Sequence, residues 1–244
     1  MTVASDMLVL REERSGVCTL TLNRPDKLNA VNPPLFKELR AHLDDLVTNG
    51  AELGVIVLRG AGKSFCAGHD LGEVGAMDLA WLRHESRTLE IFSQLPQIVL
   101  AAVHGNCLTG GLELALAADI IIASESARFA DTHGTWGLVP AWGMSQRLPR
   151  RVGAAKALEL MVTCRRVDGR EAERLGLANI CVPDDQLDAT VTRFASAILA
   201  SSRHSNTVNK RLVHDTDGLP LQQGMAHELF RSPGSKKRDP TPVA

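Results

Sequence analysis

The chain has 244 residues, 44% of them hydrophobic, and a formal net charge of -1 at pH 7. Such a chain can bury one sizeable core, and it lacks the basic stripe typical of a nucleic-acid-binding protein. The five cysteines form no CxxC pair and have no ligand-like spacing to the eight histidines, so neither a disulfide framework nor a metal site is indicated. The apolar run at 7–10 is too short for a signal peptide or a membrane span, and we expect a cytoplasmic protein without a membrane partner.

The N-terminal segment has the pattern of a β-hairpin followed by a helix. Two β-rich segments, 7–14 and 17–22, flank a two-residue Ser-Gly turn at 15–16. Asn32 is followed by two prolines, which is typical of a helix N-terminus. The apolar residues from 35 to 46 then recur at helical spacing.

Strand-like runs return at 54–58, 98–103 and 119–123, and segments 78–95 and 110–118 have helical character. This alternation predicts a mostly parallel sheet with helices covering both faces. The fold class is therefore α/β.

The C-terminal part is mainly helical from about residue 153, apart from an apolar stretch at 178–182. We divide the chain into a core at 1–200, a helical region at 201–231 and a tail at 232–244. The tail is rich in Pro, Lys and Ser, and we expect it to be mobile.

Two glycine-containing loops follow predicted strands. The first, 59–71, has three glycines but neither a Walker motif nor a GxGxxG fingerprint. In the second, a helix is predicted to begin near Thr109, so Gly110 would expose its N–H at a helix N-terminus. Glu113 lies in the first turn of this helix between two leucines, and we expect burial to raise its pKa into a range suited to proton transfer.

Each loop alone also has a simpler interpretation. Both can be ordinary glycine-rich turns, and Glu113 can be a solvent-facing residue that the helix dipole favours. From the residues alone, both interpretations remain open.

Together, the motifs resemble the crotonase (enoyl-CoA hydratase/isomerase) family, from about Val9 to Arg211. The motifs that carry this resemblance are 23–25, 28–30, 65–71, 110–115, Asp119, 137–140 and 146–148. The resemblance implies a spiral of βαβ units with a C-terminal helical assembly region, and a homotrimer or hexamer. It also implies an acyl-CoA thioester as substrate, with coenzyme A as part of that substrate and no separate cofactor.

The resemblance further implies that the backbone N–H groups of His69 and Gly110 form an oxyanion hole for the thioester carbonyl, which would stabilise an enolate. Glu113 matches a catalytic carboxylate of the family. The positions that match the family's substrate-binding stretches are Lys27, Leu28, Ala30, Ala67, Gly68, Asp70 and Leu71. Trp136 and Trp142, which flank the segment 137–140, are candidates for the acyl pocket, with ordinary core packing of the two rings as the alternative.

The chain departs from the hydratase pattern at the second catalytic glutamate, where His133 stands. Three hypotheses follow: His133 acts as the partner acid or base, Asp131 reaches the site or orients His133, or the position is unused. Enoyl-CoA hydratase is the function we expect. The alternatives are a one-carboxylate enoyl-CoA isomerase, a non-catalytic acyl-CoA-binding protein and a thioester hydrolase.

Overall fold

The computed structural model describes residues 7–70, 72 and 78–234 of the chain. The strands are Val9–Arg14 (β1), Val17–Leu22 (β2), Val55–Gly60 (β3), Ile98–Val103 (β4), Asn106–Leu108 (β5), Ile120–Ser124 (β6), Arg128–Ala130 (β7), Val167–Asp168 (β8) and Ile180–Val182 (β9). The helices are Pro33–Asn49 (α1), Leu79–Gln94 (α2), Gly110–Leu116 (α3), Met144–Val152 (α4), Ala154–Thr163 (α5), Gly169–Arg174 (α6), Leu187–Leu199 (α7), Arg203–Thr216 (α8) and Leu221–Arg231 (α9).

The central sheet has six strands in the order β1-β2-β3-β4-β6-β9. β1 and β2 are antiparallel, with Arg14 opposite Val17, as the predicted two-residue turn requires. All other neighbours in this sheet are parallel. The prediction of a mostly parallel α/β sheet is confirmed, and the carboxyl ends of β2, β3 and β4 lie at one edge of the sheet.

Both faces of the sheet are covered. Along β3, Ile56 and Leu58 contribute to the larger hydrophobic core, whereas Val55 and Val57 contribute to a second cluster that includes Val191 of α7. The alternation follows from the two-residue period of a strand, which directs successive side chains to opposite faces. Four consecutive apolar residues are therefore needed in a strand buried on both sides.

α1 begins where the sequence predicts. The side chain of Asn32 accepts a hydrogen bond from the N–H of Leu35, so it satisfies one of the N–H groups that a helix start leaves unpaired. Leu39, Leu43 and Leu46 on the buried face of α1 belong to the larger core. The capping residue and the apolar spacing thus agree on one position for this helix.

A second, three-stranded sheet was not predicted from the sequence. β5 pairs with β7 in parallel, and β7 pairs with β8 in antiparallel orientation. These strands have two or three residues each, so they are too short to show a period of their own. The helix α4, which contains Pro149, was also not predicted.

The C-terminal region contains α8 and α9, and α9 ends at Arg231, ahead of Pro233. A residue that precedes proline disfavours the helical conformation, which explains a helix end at this point. The predicted mobile tail lies outside the described residues from 235 onward. Over the part of the chain that the structure describes, no helix combines the length and apolar character needed to cross a bilayer.

Candidate active site

Two loops at the carboxyl edge of the sheet are tied together by Asn29. Its Nδ2 donates to the carbonyls of Ala61 (2.8 Å) and Ser64 (2.7 Å), and its Oδ1 accepts from the N–H of Arg24 (2.9 Å). Asn29 is fully buried with a φ of 56°, a left-handed conformation that asparagine adopts more readily than most residues. The loop after β2 is therefore fixed against the loop after β3.

An ion pair adds a second tie between these loops. The guanidinium of Arg24 lies 3.0 Å from Oδ2 of Asp70. Burial opposes ionisation of Asp70, but the hydrogen bonds from Arg24 and from the N–H of Gly72, together with the positive charges of Arg24 and Lys27, outweigh it and lower the pKa of that carboxyl. Asp70 is thus a structural anion that holds the end of the first loop.

The backbone N–H of His69 is directed by hydrogen bonds on either side of it. Val31 donates to the carbonyl of Gly68 (2.8 Å), and the N–H of Asp70 donates to the carbonyl of Val31 (2.8 Å). In such a parallel bridge, the residue between the two bonding positions directs its own N–H away from the partner strand. His69 therefore points its N–H away from Val31, toward the side where α3 begins.

Gly110 lies on that side of the loop. A Cβ added to Gly68 would lie 3.5 Å from the nitrogen of Gly110, so the two loops are in close contact at this point. Gly110 is the first residue of α3, where N–H groups have no partner within the helix. The structure thus places Gly110 beside the loop that carries His69, and the roles of these two residues as oxyanion-hole donors stay predictions.

Thr109, which precedes Gly110, has a strained backbone with φ 52° and ψ −113°. Its N–H donates to the carbonyl of Ala130 (2.8 Å), and its hydroxyl is hydrogen-bonded to that of Thr132. Backbone strain of this kind persists only where surrounding contacts determine it, and it clusters at functional sites. Here the strain turns the chain abruptly from β5 into α3.

Glu113 is on α3 and is 2% exposed. Its Oε1 accepts hydrogen bonds from the N–H groups of Trp142 (2.9 Å) and Met144 (3.0 Å). Burial raises the pKa of Glu113, while the two backbone hydrogen bonds and the neighbouring His133 oppose the rise. The alternative of a solvent-facing glutamate is therefore wrong, and the second carboxylate oxygen remains available toward the site.

His133 faces that second oxygen, with its Nε2 3.9 Å from Oε2 of Glu113. Its Nδ1 lies 2.6 Å from Oδ1 of Asp131, and its backbone N–H donates to the same oxygen (3.1 Å). An ionised carboxylate only accepts hydrogen bonds, so the proton of a neutral His133 is on Nδ1 and its Nε2 faces Glu113. Of the hypotheses for Asp131, the geometry matches the one in which it orients His133.

The predicted substrate-binding positions lie near the first loop. Lys27 and Leu28 are exposed, and the carbonyl of Leu28 accepts from the N–H of Ala67 (3.0 Å). Ala30 is half-buried, whereas Leu71 lies outside the described residues. Their roles in substrate binding stay predictions.

Trp136 and Trp142 differ sharply in burial. Trp136 is 56% exposed, whereas Trp142 is 5% exposed and packs its ring against the Cα of Gly110, where an added Cβ would lie 2.4 Å from Cζ3. Trp142 also makes an edge-on contact with Phe36, with 4.9 Å between ring centroids. It is thus Trp142 that lines the site at Gly110.

Sequence analysis missed Glu85 of α2, whose side chain is fully buried. The sequence does contain a sign that Glu85 is buried. Glu85 lies four residues after Trp81 and four before Leu89, on the apolar stripe of an amphipathic helix. A charged residue on such a stripe is informative, since carboxylates are rarely fully buried unless they are paired.

Comparisons with known proteins show the family to which the chain belongs. A model of the enoyl-CoA hydratase/isomerase family matches residues 12–239, and the chain therefore belongs to that family. The resemblance inferred from the sequence motifs is confirmed.

Individual relatives cover nearly the whole chain. A probable enoyl-CoA hydratase of Rhizobium meliloti is 39% identical over 92% of this chain and 88% of its own length. The crystal structure of an enoyl-CoA hydratase from Bacillus anthracis has a TM-score of 0.86 at 34% identity, over 91% of this chain and 88% of that one. A monofunctional enoyl-CoA isomerase from M. smegmatis has a TM-score of 0.78 at 35% identity, over 90% of this chain and 98% of that one.

The raised pKa of Glu113 predicts a pH-dependent gain of stability in Glu113→Gln. A carboxyl whose pKa is higher in the folded state contributes stability below its ordinary value of 4.5, and this contribution is lost as the pH rises through the folded-state pKa. We therefore expect the variant's melting temperature to rise relative to the wild type between about pH 5 and about pH 8. Calorimetry at both pH values tests this, and a difference that does not change with pH would contradict the shift.

Proposed function

We propose that the protein is an enoyl-CoA hydratase that adds water to a trans-2-enoyl-CoA. The observation that carries the proposal is the arrangement of Glu113 and the Asp131–His133 pair: Oε2 of Glu113 and Nε2 of His133 face each other at 3.9 Å, and Glu113 lies one helical turn after Gly110 on α3. Two proton-transfer groups beside two backbone donors match what addition of water to a conjugated thioester requires.

In the proposed reaction, the thioester oxygen accepts hydrogen bonds from the N–H groups of His69 and Gly110. Glu113 takes a proton from water as the water oxygen bonds to Cβ, and the electron pair of the double bond moves through Cα to the thioester oxygen as an enolate. His133 in its protonated form, stabilised by Asp131, then delivers a proton to Cα. The proton on Glu113 returns to His133, and the net change is addition of one water molecule.

A second candidate is double-bond isomerisation. The observation that favours it is the absence of a second glutamate at position 133, together with the 35% identity to a monofunctional isomerase. Isomerisation needs one base that moves a proton between Cα and Cγ, and no water. Glu113 and the same two N–H groups would then be sufficient.

The first prediction concerns Glu113. Wild-type protein is expected to deplete the conjugated absorbance of crotonyl-CoA, and Glu113→Gln is expected to lower kcat about 10²- to 10⁴-fold, because the amide cannot accept the proton of water. Glu12→Gln, which changes an exposed residue of β1, is the matched control and should retain wild-type turnover.

Other outcomes distinguish the alternatives. Unchanged crotonyl-CoA together with conversion of a β,γ-unsaturated thioester would favour the isomerase. Release of free thiol would indicate a hydrolase, and binding without any product would indicate a non-catalytic protein.

The second prediction concerns the Asp131–His133 pair. His133→Ala is expected to lower kcat about 10²-fold, and Asp131→Asn to lower it at least as much, because the amide neither stabilises the imidazolium nor holds the proton of the neutral ring on Nδ1. His133→Glu supplies the carboxylate that the family pattern has there and should recover part of the activity. The kcat of each variant is measured against pH, and wild-type rates in His133→Ala would exclude a chemical role for this histidine.

We further infer that the chain assembles with copies of itself through α9. Leu221, Met225 and Leu229 recur every four residues along this helix and are 78%, 62% and 73% exposed, and the neighbouring Phe230 is 79% exposed. No described residue of α9 is buried. An exposed apolar stripe of this length is costly in water and is typical of a surface that a partner covers, and a homotrimer or hexamer is the assembly we propose.

The expected molar mass in solution is accordingly three or six times that of the chain. Leu229→Asp with Phe230→Asp is expected to shift the assembly toward smaller species, because burying two unpaired carboxylates costs several kcal/mol. Light scattering after size-exclusion chromatography measures the mass, with Val47→Asp as control, because Val47 is a 59% exposed apolar residue of α1, outside α9. A monomeric wild type would refute the assembly.

A further inference from the structure

We propose that Glu85 is a positioning residue of the active site. It holds the loop that contains His69 and the loop that contains Trp142 in a fixed position relative to each other. The inference rests on the proposed function, since it concerns the oxyanion hole and the catalytic carboxylate of that site. Glu85 contacts neither group directly. It acts through the side chains of His69 and Trp142.

The carboxylate of Glu85 accepts hydrogen bonds from three rings. Oε1 accepts from Nε1 of Trp81 (2.7 Å) and from Nε2 of His69 (3.2 Å), and Oε2 accepts from Nε1 of Trp142 (3.2 Å). The donors lie on three separate segments: α2 itself, the loop after β3 and the loop before α4. One buried side chain therefore connects all three.

Because Glu85 is buried, loss of any of these hydrogen bonds is energetically costly. The side chain of Glu85 has no exposed surface, so each lone pair without a donor would carry a full desolvation cost. Charge-assisted hydrogen bonds are about twice as strong as neutral ones, and they are also more sensitive to geometry in a low-dielectric interior. The rings of His69 and Trp142 are consequently constrained with respect to one another.

Both constrained residues also carry a backbone group of the site. His69 supplies one N–H of the proposed oxyanion hole, and Trp142 donates its backbone N–H to Oε1 of Glu113 (2.9 Å). The indole of Trp142 packs on Gly110, whose N–H is the second oxyanion donor. Glu85 is thus connected, through one residue on each side, to the group that stabilises the enolate and to the group that moves the proton.

Packing alone does not require a carboxylate at this position. The other fully buried side chains of α2, such as Thr88 and Leu89, pack without a charge. Replacing a buried charge by an apolar group of similar volume is often neutral or stabilising, so a carboxylate surrounded by three donors from different segments is better explained by positioning than by stability. A misplacement of about 1 Å can cost about 10²-fold in rate.

The test uses Glu85→Gln in the full-length protein, with Glu90→Gln as the matched control. Glu90 is on the same helix, its side chain is 46% exposed, and it pairs with Arg87 at the surface. In Glu85→Gln the amide nitrogen would face an N–H donor, so one ring loses its acceptor. We expect kcat for hydration to fall about 10- to 100-fold while KM changes less than about threefold, and Glu90→Gln to behave as wild type.

A spectroscopic measurement separates positioning from stability. The infrared carbonyl band of a bound, ¹³C-labelled thioester reports how strongly the two N–H groups polarise the carbonyl. In Glu85→Gln, this band is expected to move back toward its position in water while the thioester remains bound. Should Glu85→Gln not fold, Trp142→Phe keeps a ring on Gly110, removes one donor to Glu85, and is expected to lower kcat and shift the band in the same direction.

The outcomes are distinguishable from failure of the proposed function. A Glu85→Gln protein with a lower melting temperature but a wild-type kcat per folded site and a wild-type carbonyl band would overturn the inference. A wild type that neither hydrates an enoyl thioester nor polarises the bound carbonyl would refute the proposed function, and the positioning role with it.

Discussion

Residues 66–70 form an extended segment that is hydrogen-bonded along both edges, to 28–31 on one side and to 106–108 on the other. Because N–H groups alternate in direction along an extended chain, this double pairing decides which way each one points. Gly68 has a φ of 97° and no side chain, so the segment can lie against the start of α3. The proposed oxyanion hole depends on this arrangement. Glu113 and His133 can act on a thioester only if its carbonyl is held there.

The site concentrates buried charge. Glu85, Glu113 and Asp131 are each at most 2% exposed, yet all three carboxylates have N–H partners. Their donors differ: indole and imidazole nitrogens for Glu85, backbone amides for Glu113, and the imidazole and backbone amide of His133 for Asp131. A buried carboxylate is destabilising unless N–H groups donate hydrogen bonds to it. Each carboxylate therefore also fixes the orientation of the residues that donate to it. The residues proposed to transfer protons and the residues that position them therefore belong to one hydrogen-bond network.

The thiols in the same region carry no comparable role. Cys66 and Cys107 face each other across the bridge between the two loops and are free. Burial raises the pKa of Cys66 to about 12, so it remains protonated at neutral pH and behaves as a small apolar side chain. Both cysteines are thus packed as core residues.

The amino-acid sequence alone determined the local elements and the residue types of the site. Asn32 and the leucines after it specify α1, and the apolar runs specify β3 and β4, because capping and periodicity are local properties. The motifs also pointed to His69, Gly110 and Glu113. The tertiary structure decided the partners: β5, β7 and β8 exist only through pairing with one another, Asp131 is joined to His133, and Trp142 rather than Trp136 packs against Gly110. The contacts of Glu85 were hidden for the same reason, since two of its three donors, His69 and Trp142, lie outside its own helix, and only folding brings them within hydrogen-bond distance.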